Sequence, residues 1–188
     1  MPKPSTMQHG APDDFQTPDY ALRPLIPYLP RNGLLWECAT GNDNLTLALE
    51  QQGFSIMGTD ILGMADFLDP DSIGYPANMT DAVSCIVTNP PYSLKYEFMV
   101  ECHLLRKPFA LLMPLTFLGT FKRQYLLDGI EIIFMGGRIN FETPSGEGSG
   151  SWFETAWFTH GLNLPHQLNF PTSPIDRTPL TDTTDIIT

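Results

Sequence analysis

The chain has 188 residues, 42% hydrophobic and 16% charged, which suits one domain with a full core, and no apolar run is long enough for a membrane span. Its start, MPKPSTMQHGAPDD, lacks the apolar region of a signal peptide, so a cytoplasmic location is expected, and three widely spaced cysteines, Cys38, Cys85 and Cys102, indicate neither a disulfide framework nor a zinc cluster. The net charge of −11 opposes binding to a polyanion, although six basic residues outnumber four acidic ones between Ser93 and Asn140.

Residues 1–14 are polar and proline-bearing, which predicts disorder. A folded domain is expected over residues 15–162, with 163–188 a Pro/Thr-rich tail. In chain order the pattern predicts a helix from Pro18 to Tyr28, a strand from Leu34 to Cys38, a helix from Leu45 to Gln52, and strands from Phe54 to Thr59 and Ala82 to Thr88. Beyond these it predicts a helix from Tyr96 to Leu105, a strand from Phe109 to Met113, a helix from Thr120 to Leu127, and strands from Ile130 to Met135 and Trp152 to Thr159. The strand segments are continuously apolar rather than alternating, as suits strands covered on both faces by helices. The fold expected is a doubly wound, mostly parallel α/β sheet, with ligands beyond the carboxyl ends of its strands.

Both informative motifs fall on such ends. The first strand runs out through Glu37-Cys38-Ala39-Thr40-Gly41-Asn42-Asp43, in which Gly41 can take a positive φ or let a ligand approach without a Cβ, and Asn42 and Asp43 tolerate left-handed backbone. No Gly-Lys-Ser/Thr follows, and the second and third glycines of a dinucleotide fingerprint are missing, so a phosphate cradle is disfavoured. The second strand ends on Asp60, a carboxylate placed to accept hydrogen bonds from ribose hydroxyls. Glu37 and Asp60 together suit a ligand bearing amines and hydroxyls.

The second motif is Thr88-Asn89-Pro90-Pro91-Tyr92-Ser93. Two prolines stop a core strand, since each lacks a backbone donor and fixes φ. A turn alone would explain Asn-Pro, but not the aromatic after the second proline. A planar NH2 conjugated to a π-system, as in adenine or a glutamine amide, has a delocalised and weakly nucleophilic lone pair. Two acceptors aimed at its hydrogens, the Asn89 side-chain oxygen and the Pro90 carbonyl, favour its rehybridisation, with the prolines holding that carbonyl rigidly. Tyr92 is placed to stack on the planar group and to sit near developing positive charge.

These residues resemble the S-adenosylmethionine-dependent amino-methyltransferases that carry an (Asn/Asp/Ser)-Pro-Pro-(Tyr/Phe) motif, and most of all the compact phage-type N6-adenine DNA methyltransferases. The resemblance covers Gln16 to about Phe158. It implies a single-domain, Rossmann-like class I methyltransferase fold with S-adenosylmethionine as cofactor, and Asn89, Pro90 and Tyr92 as catalytic residues. It places Thr17 and Pro18 at the methionine end of the cofactor, Glu37, Ala39 and Gly41 in the cofactor loop, Asp60 on the ribose, and Asp66 with Phe67 beside the cofactor adenine, Asn89 also touching the cofactor. The activity implied is methylation of the N6 amine of adenine in DNA, flipped out or single-stranded.

The chain departs from that pattern at Cys38, where the family commonly has proline, at Asp43, where it has a second glycine, and in lacking a target-recognition domain. Alternatives are the same chemistry on RNA adenine or a protein glutamine amide, or a non-catalytic cofactor-binding or partner-binding subunit. A dimer would supply recognition surface that one chain lacks. No metal is expected: His9, His103, His160 and His166 have no cysteine or carboxylate at ligand spacing and are expected to be solvated or at the edge of the core. Trp152, Phe153 and Trp157 are expected to fill the core.

Overall fold

In the computed structural model, described for residues 13, 15–119, 121–142 and 153–181, seven strands form one sheet in the order β2-β1-β3-β4-β6-β5-β7. They are β1 (Leu34–Glu37), β2 (Ser55–Gly58), β3 (Val83–Thr88), β4 (Phe109–Pro114), β5 (Glu131–Phe134), β6 (Thr155–His160) and β7 (Leu168–Asn169). All run parallel except β6, which lies antiparallel between β4 and β5. The α-helices are α1 (Asn44–Gln51), between β1 and β2, and α2 (Lys95–Leu105), between β3 and β4. This is the mostly parallel α/β sheet expected.

Successive residues along each strand point into different cores, as the pleat requires. Leu35, Cys85, Val87, Ala110, Leu112, Ile133 and Trp157 pack with α1 and residues 20–29 on one face. Trp36, Ile86, Phe109, Leu111, Met113, Ile132 and Phe158 pack with α2 and residues 115–127 on the other. Covering both faces is why these strands read as unbroken apolar runs.

Two predicted helices form differently. Residues 18–28 make two short 3-10 turns, Asp19–Leu22 and Ile26–Tyr28. Pro24 and Pro27 lack the N–H that an α-helix would use, and their rings clash with the preceding turn. The segment is held tertiarily instead, by burial of Leu22, Leu25 and Ile26 and by the Trp157 indole donating to the Ala21 carbonyl at 2.8 Å. The helix expected over 120–127 is also 3-10, Leu115–Gly119 and then Phe121–Leu127, with Arg123 out of helical conformation at φ −128°.

The chain beyond Leu162 is more than a tail through residue 181. Leu164 and Leu180 are buried, β7 pairs with β5, the Gln52 amide donates to the Thr181 carbonyl, and Arg23 bonds Thr178 and pairs with Asp176. Its prolines and threonines suggested a solvated end, but scattered apolar residues supply the contacts that order it. The predicted disorder of residues 1–12 and 14, His9, Trp152 and the loop at 143–151 lie outside the described residues.

Candidate active site

Two chain reversals place the site. Connections leave β1 toward β2 on one side and β3 toward β4 on the other, which makes the carboxyl ends of β1 and β3 the switch point where α/β sheets open a crevice. The loop after Glu37 and the TNPPYS motif emerge side by side there, since β1 and β3 are directly paired.

The first loop is held from below and from above. Glu37 is fully buried, and one of its oxygens accepts from the Ala39 N–H at 3.0 Å. Burial pushes its pKa up to about 8, with Asp60 and Asp43 adding to the rise, so the carboxyl is largely protonated at neutral pH. The Thr88 hydroxyl lies near enough to oppose that shift but completes no aligned hydrogen bond, and both Glu37 Oε2 and Thr88 Oγ1 lack a partner. Gly41 has φ +54°, and a Cβ there would sit 2.8 Å from the Gln16 amide. Its N–H donates to Asp60 Oδ2 at 3.0 Å, while Gln16 Oε1 accepts from the Asn42 N–H. Asp43 is left-handed as it enters α1, at φ 63°.

Ala39, Asp60, Asp66 and Phe67, four of the expected cofactor residues, line one cleft together with Cys38, Pro91, Leu94 and Phe98. Asp60 Oδ1 accepts from the Leu62 N–H and Asp66 Oδ1 from the Leu68 N–H, so both carboxylates are fixed at its edge. Phe67 is buried edge-on against Trp36, 5.2 Å between centroids, and also meets Phe98. Glu37 lies beneath the loop rather than on the walls of this cleft. Pro18 lines a separate hollow with Asn44, Leu47, Gln51 and Glu142, and Thr17 is buried next to the Gln16–Glu142 bridge.

At the end of β3, the Asn89 amide nitrogen donates to the Phe15 carbonyl at 3.1 Å. That bond turns the amide oxygen the other way, where Oδ1 is buried without a partner. Such an orphan acceptor is costly unless something supplies a donor. Pro90, Pro91 and Tyr92 are all buried. The Tyr92 ring, expected to meet a planar substrate group, instead faces Phe15, with centroids 5.8 Å apart and planes 28° apart, and meets Phe141 and Phe153 edge-on. Burial raises its phenol well above the usual range, and the hydroxyl has no partner. Asp13, from the segment expected to be disordered, accepts from the Ser93 N–H.

Sequence reasoning did not foresee that the Phe15 carbonyl orients Asn89, nor that Pro91, Leu94 and Phe98 form one apolar wall. The wall was readable in part, because Leu94 and Phe98 are four apart at the start of a helix and so share a face. Nothing in the sequence marks a backbone carbonyl as a partner. Among the described residues no cluster of three His, Cys, Asp or Glu could hold a metal, and no helix is long and apolar enough to cross a membrane. His103 and His160 sit at the other end of the sheet, His160 stacked on Phe109, and His166 is exposed. Trp157 is buried as expected. No protein-family model matches the chain, and no curated protein matches it in sequence.

Proposed function

We propose that this chain is a Rossmann-like methyltransferase that transfers a methyl group from S-adenosylmethionine to the exocyclic amine of adenine in DNA. The observation that carries the reading is Asn89 at the strand tip: its amide is oriented by Phe15, and its oxygen is left as a buried acceptor without a donor. An amine entering there satisfies Oδ1, and the adjoining Pro90 carbonyl is the second acceptor the motif supplies. Hydrogen bonds from both amine hydrogens strengthen as nitrogen becomes tetrahedral and positive, which favours the transition state over the ground state.

The residues around the cleft fit the cofactor's chemistry. Phe67, Pro91, Leu94 and Phe98 offer apolar walls for a flat heterocycle, and Asp60 and Asp66 offer carboxylates for hydroxyl and amine hydrogens, with lone pairs beyond those the backbone N–H groups use. Bound there, S-adenosylmethionine supplies a methyl group activated on a sulfonium. The chain's own contribution is to hold the amine in line and exclude water, with no nucleophilic side chain required. A glutamine amide would satisfy the same acceptors, and the net charge of −11 favours that second reading.

Incubation with methyl-labelled cofactor in the presence of unmethylated DNA, RNA and protein tests the proposal. Label is expected in DNA adenine and is expected to fall by at least about a hundredfold in Asn89→Ala, the usual loss for one preorganised polar group. Label in protein alone would favour the glutamine substrate, and equal label from both proteins would remove Asn89 from the chemistry.

A further inference from the structure

Beside the TNPPYS motif lies a surface that the methyl-transfer reading leaves unused. Residues 115–127, LTFLGTFKRQYLL, contain two cations and no acid, and they leave the carboxyl end of β4, the strand paired with β3. Phe121 is 84% exposed and Tyr125 68% exposed, four positions apart. Next to them the Arg123 guanidinium lies 3.7 Å from the centre of the Tyr96 ring, and Tyr96 packs on Phe117. Lys95 links this patch to the motif: its ammonium lies 4.8 Å from the Tyr96 ring centre and donates to the Tyr92 carbonyl at 2.8 Å.

Phe121 and Tyr125 flank Arg123, whose guanidinium is held over Tyr96 beside the motif, and each leaves most of its ring in water, which costs free energy without an occupant. With Arg123 and Lys95 the cations held at this patch in a chain of net charge −11, phosphate contacts, which dominate duplex binding, are a weak source of affinity. Stacking on base faces is the remaining source, and those faces are covered in a duplex and open in a single strand. We infer that Phe121 and Tyr125 form a stacking platform for unpaired bases flanking the target, with Arg123 and Lys95 contacting the backbone, so that the substrate is single-stranded DNA. The inference rests on the proposed DNA reading and narrows it. Two cations predict a shallow salt dependence, a log–log slope of about −1.4 at about −0.7 per phosphate.

The test is fluorescence anisotropy of labelled single-stranded, duplex and RNA oligonucleotides of one sequence, with wild type, Phe121→Ala/Tyr125→Ala and Asn89→Ala, alongside calorimetry with S-adenosylhomocysteine. The single strand is expected to bind wild type more tightly than the duplex, and the double variant more weakly by about ten- to a hundredfold. The double variant should keep the wild-type melting temperature and S-adenosylhomocysteine affinity, because both side chains are solvent-exposed. Unchanged binding by the double variant, tighter binding of duplex, or preference for RNA overturns the platform as stated. Binding of S-adenosylhomocysteine without any oligonucleotide binding removes the platform and leaves the methyl chemistry intact. The reverse result supports the platform and removes the proposed cofactor.

Discussion

Asn89, Gly41 and Glu37 each do something that their residue type alone does not determine. Asn89 is useful because one end of its amide is already committed to the Phe15 carbonyl. Gly41 is required twice, by a left-handed φ and by the Gln16 amide lying against its Cα. Gly41→Ala should destabilise the fold by about 1–2 kcal/mol, since the left-handed conformation alone costs that much with a Cβ; urea unfolding reads it as a lower midpoint. Glu37 predicts a pH effect. Its pKa rises from 4.5 to about 8 on folding, so the native state holds a proton that the unfolded chain releases across that range. The stability linked to that proton is fully present below pH 4.5 and is lost as pH rises through 8. Melting curves of wild type and Glu37→Gln should therefore diverge between those limits, wild type losing ground as pH rises. Parallel curves would mean that Glu37 is ionised in the native protein.

The strands were the legible elements. Two-sided burial removes the polar residues that would otherwise alternate, so Val83–Thr88 and Phe109–Pro114 stood out as apolar runs, and Asn89-Pro90 marked where one stops. Helical stretches were less legible, because prolines at 24 and 27 and the bend at Arg123 convert apolar periodicity into 3-10 turns whose stability is tertiary. The packed end of the chain was hidden for a different reason. Leu164, Ile175 and Leu180 are isolated among prolines and threonines, and only the folded surface shows that Leu164 and Leu180 are covered. Removing residues 163–188 should cost roughly 3–6 kcal/mol from those two leucines, at about 1.5–3 kcal/mol each. Urea unfolding would read this as a lower midpoint, and an unchanged midpoint would show the segment to be undocked in solution.

The molecule brings its chemistry-bearing residues to one end of one sheet. Glu37, Gly41, Asp60 and Asn89 come from three different strand ends and converge because the switch point between β1 and β3 opens there. The apolar cleft and the orphaned amide oxygen share the TNPPYS motif, Pro91 lining the one and Asn89 carrying the other, and Lys95 and Tyr96 tie that motif to Arg123. A chain of net charge −11 suits a substrate bound by shape and stacking, which fits an accessible base better than a closed duplex. The most direct measurement is mass spectrometry of nucleosides from the DNA of cells lacking endogenous adenine methylation and expressing this chain or its Asn89→Ala variant. N6-methyladenine with the wild-type chain, and none with the variant, is the predicted result. Its absence from DNA in cells that accumulate the folded wild-type protein would contradict the account.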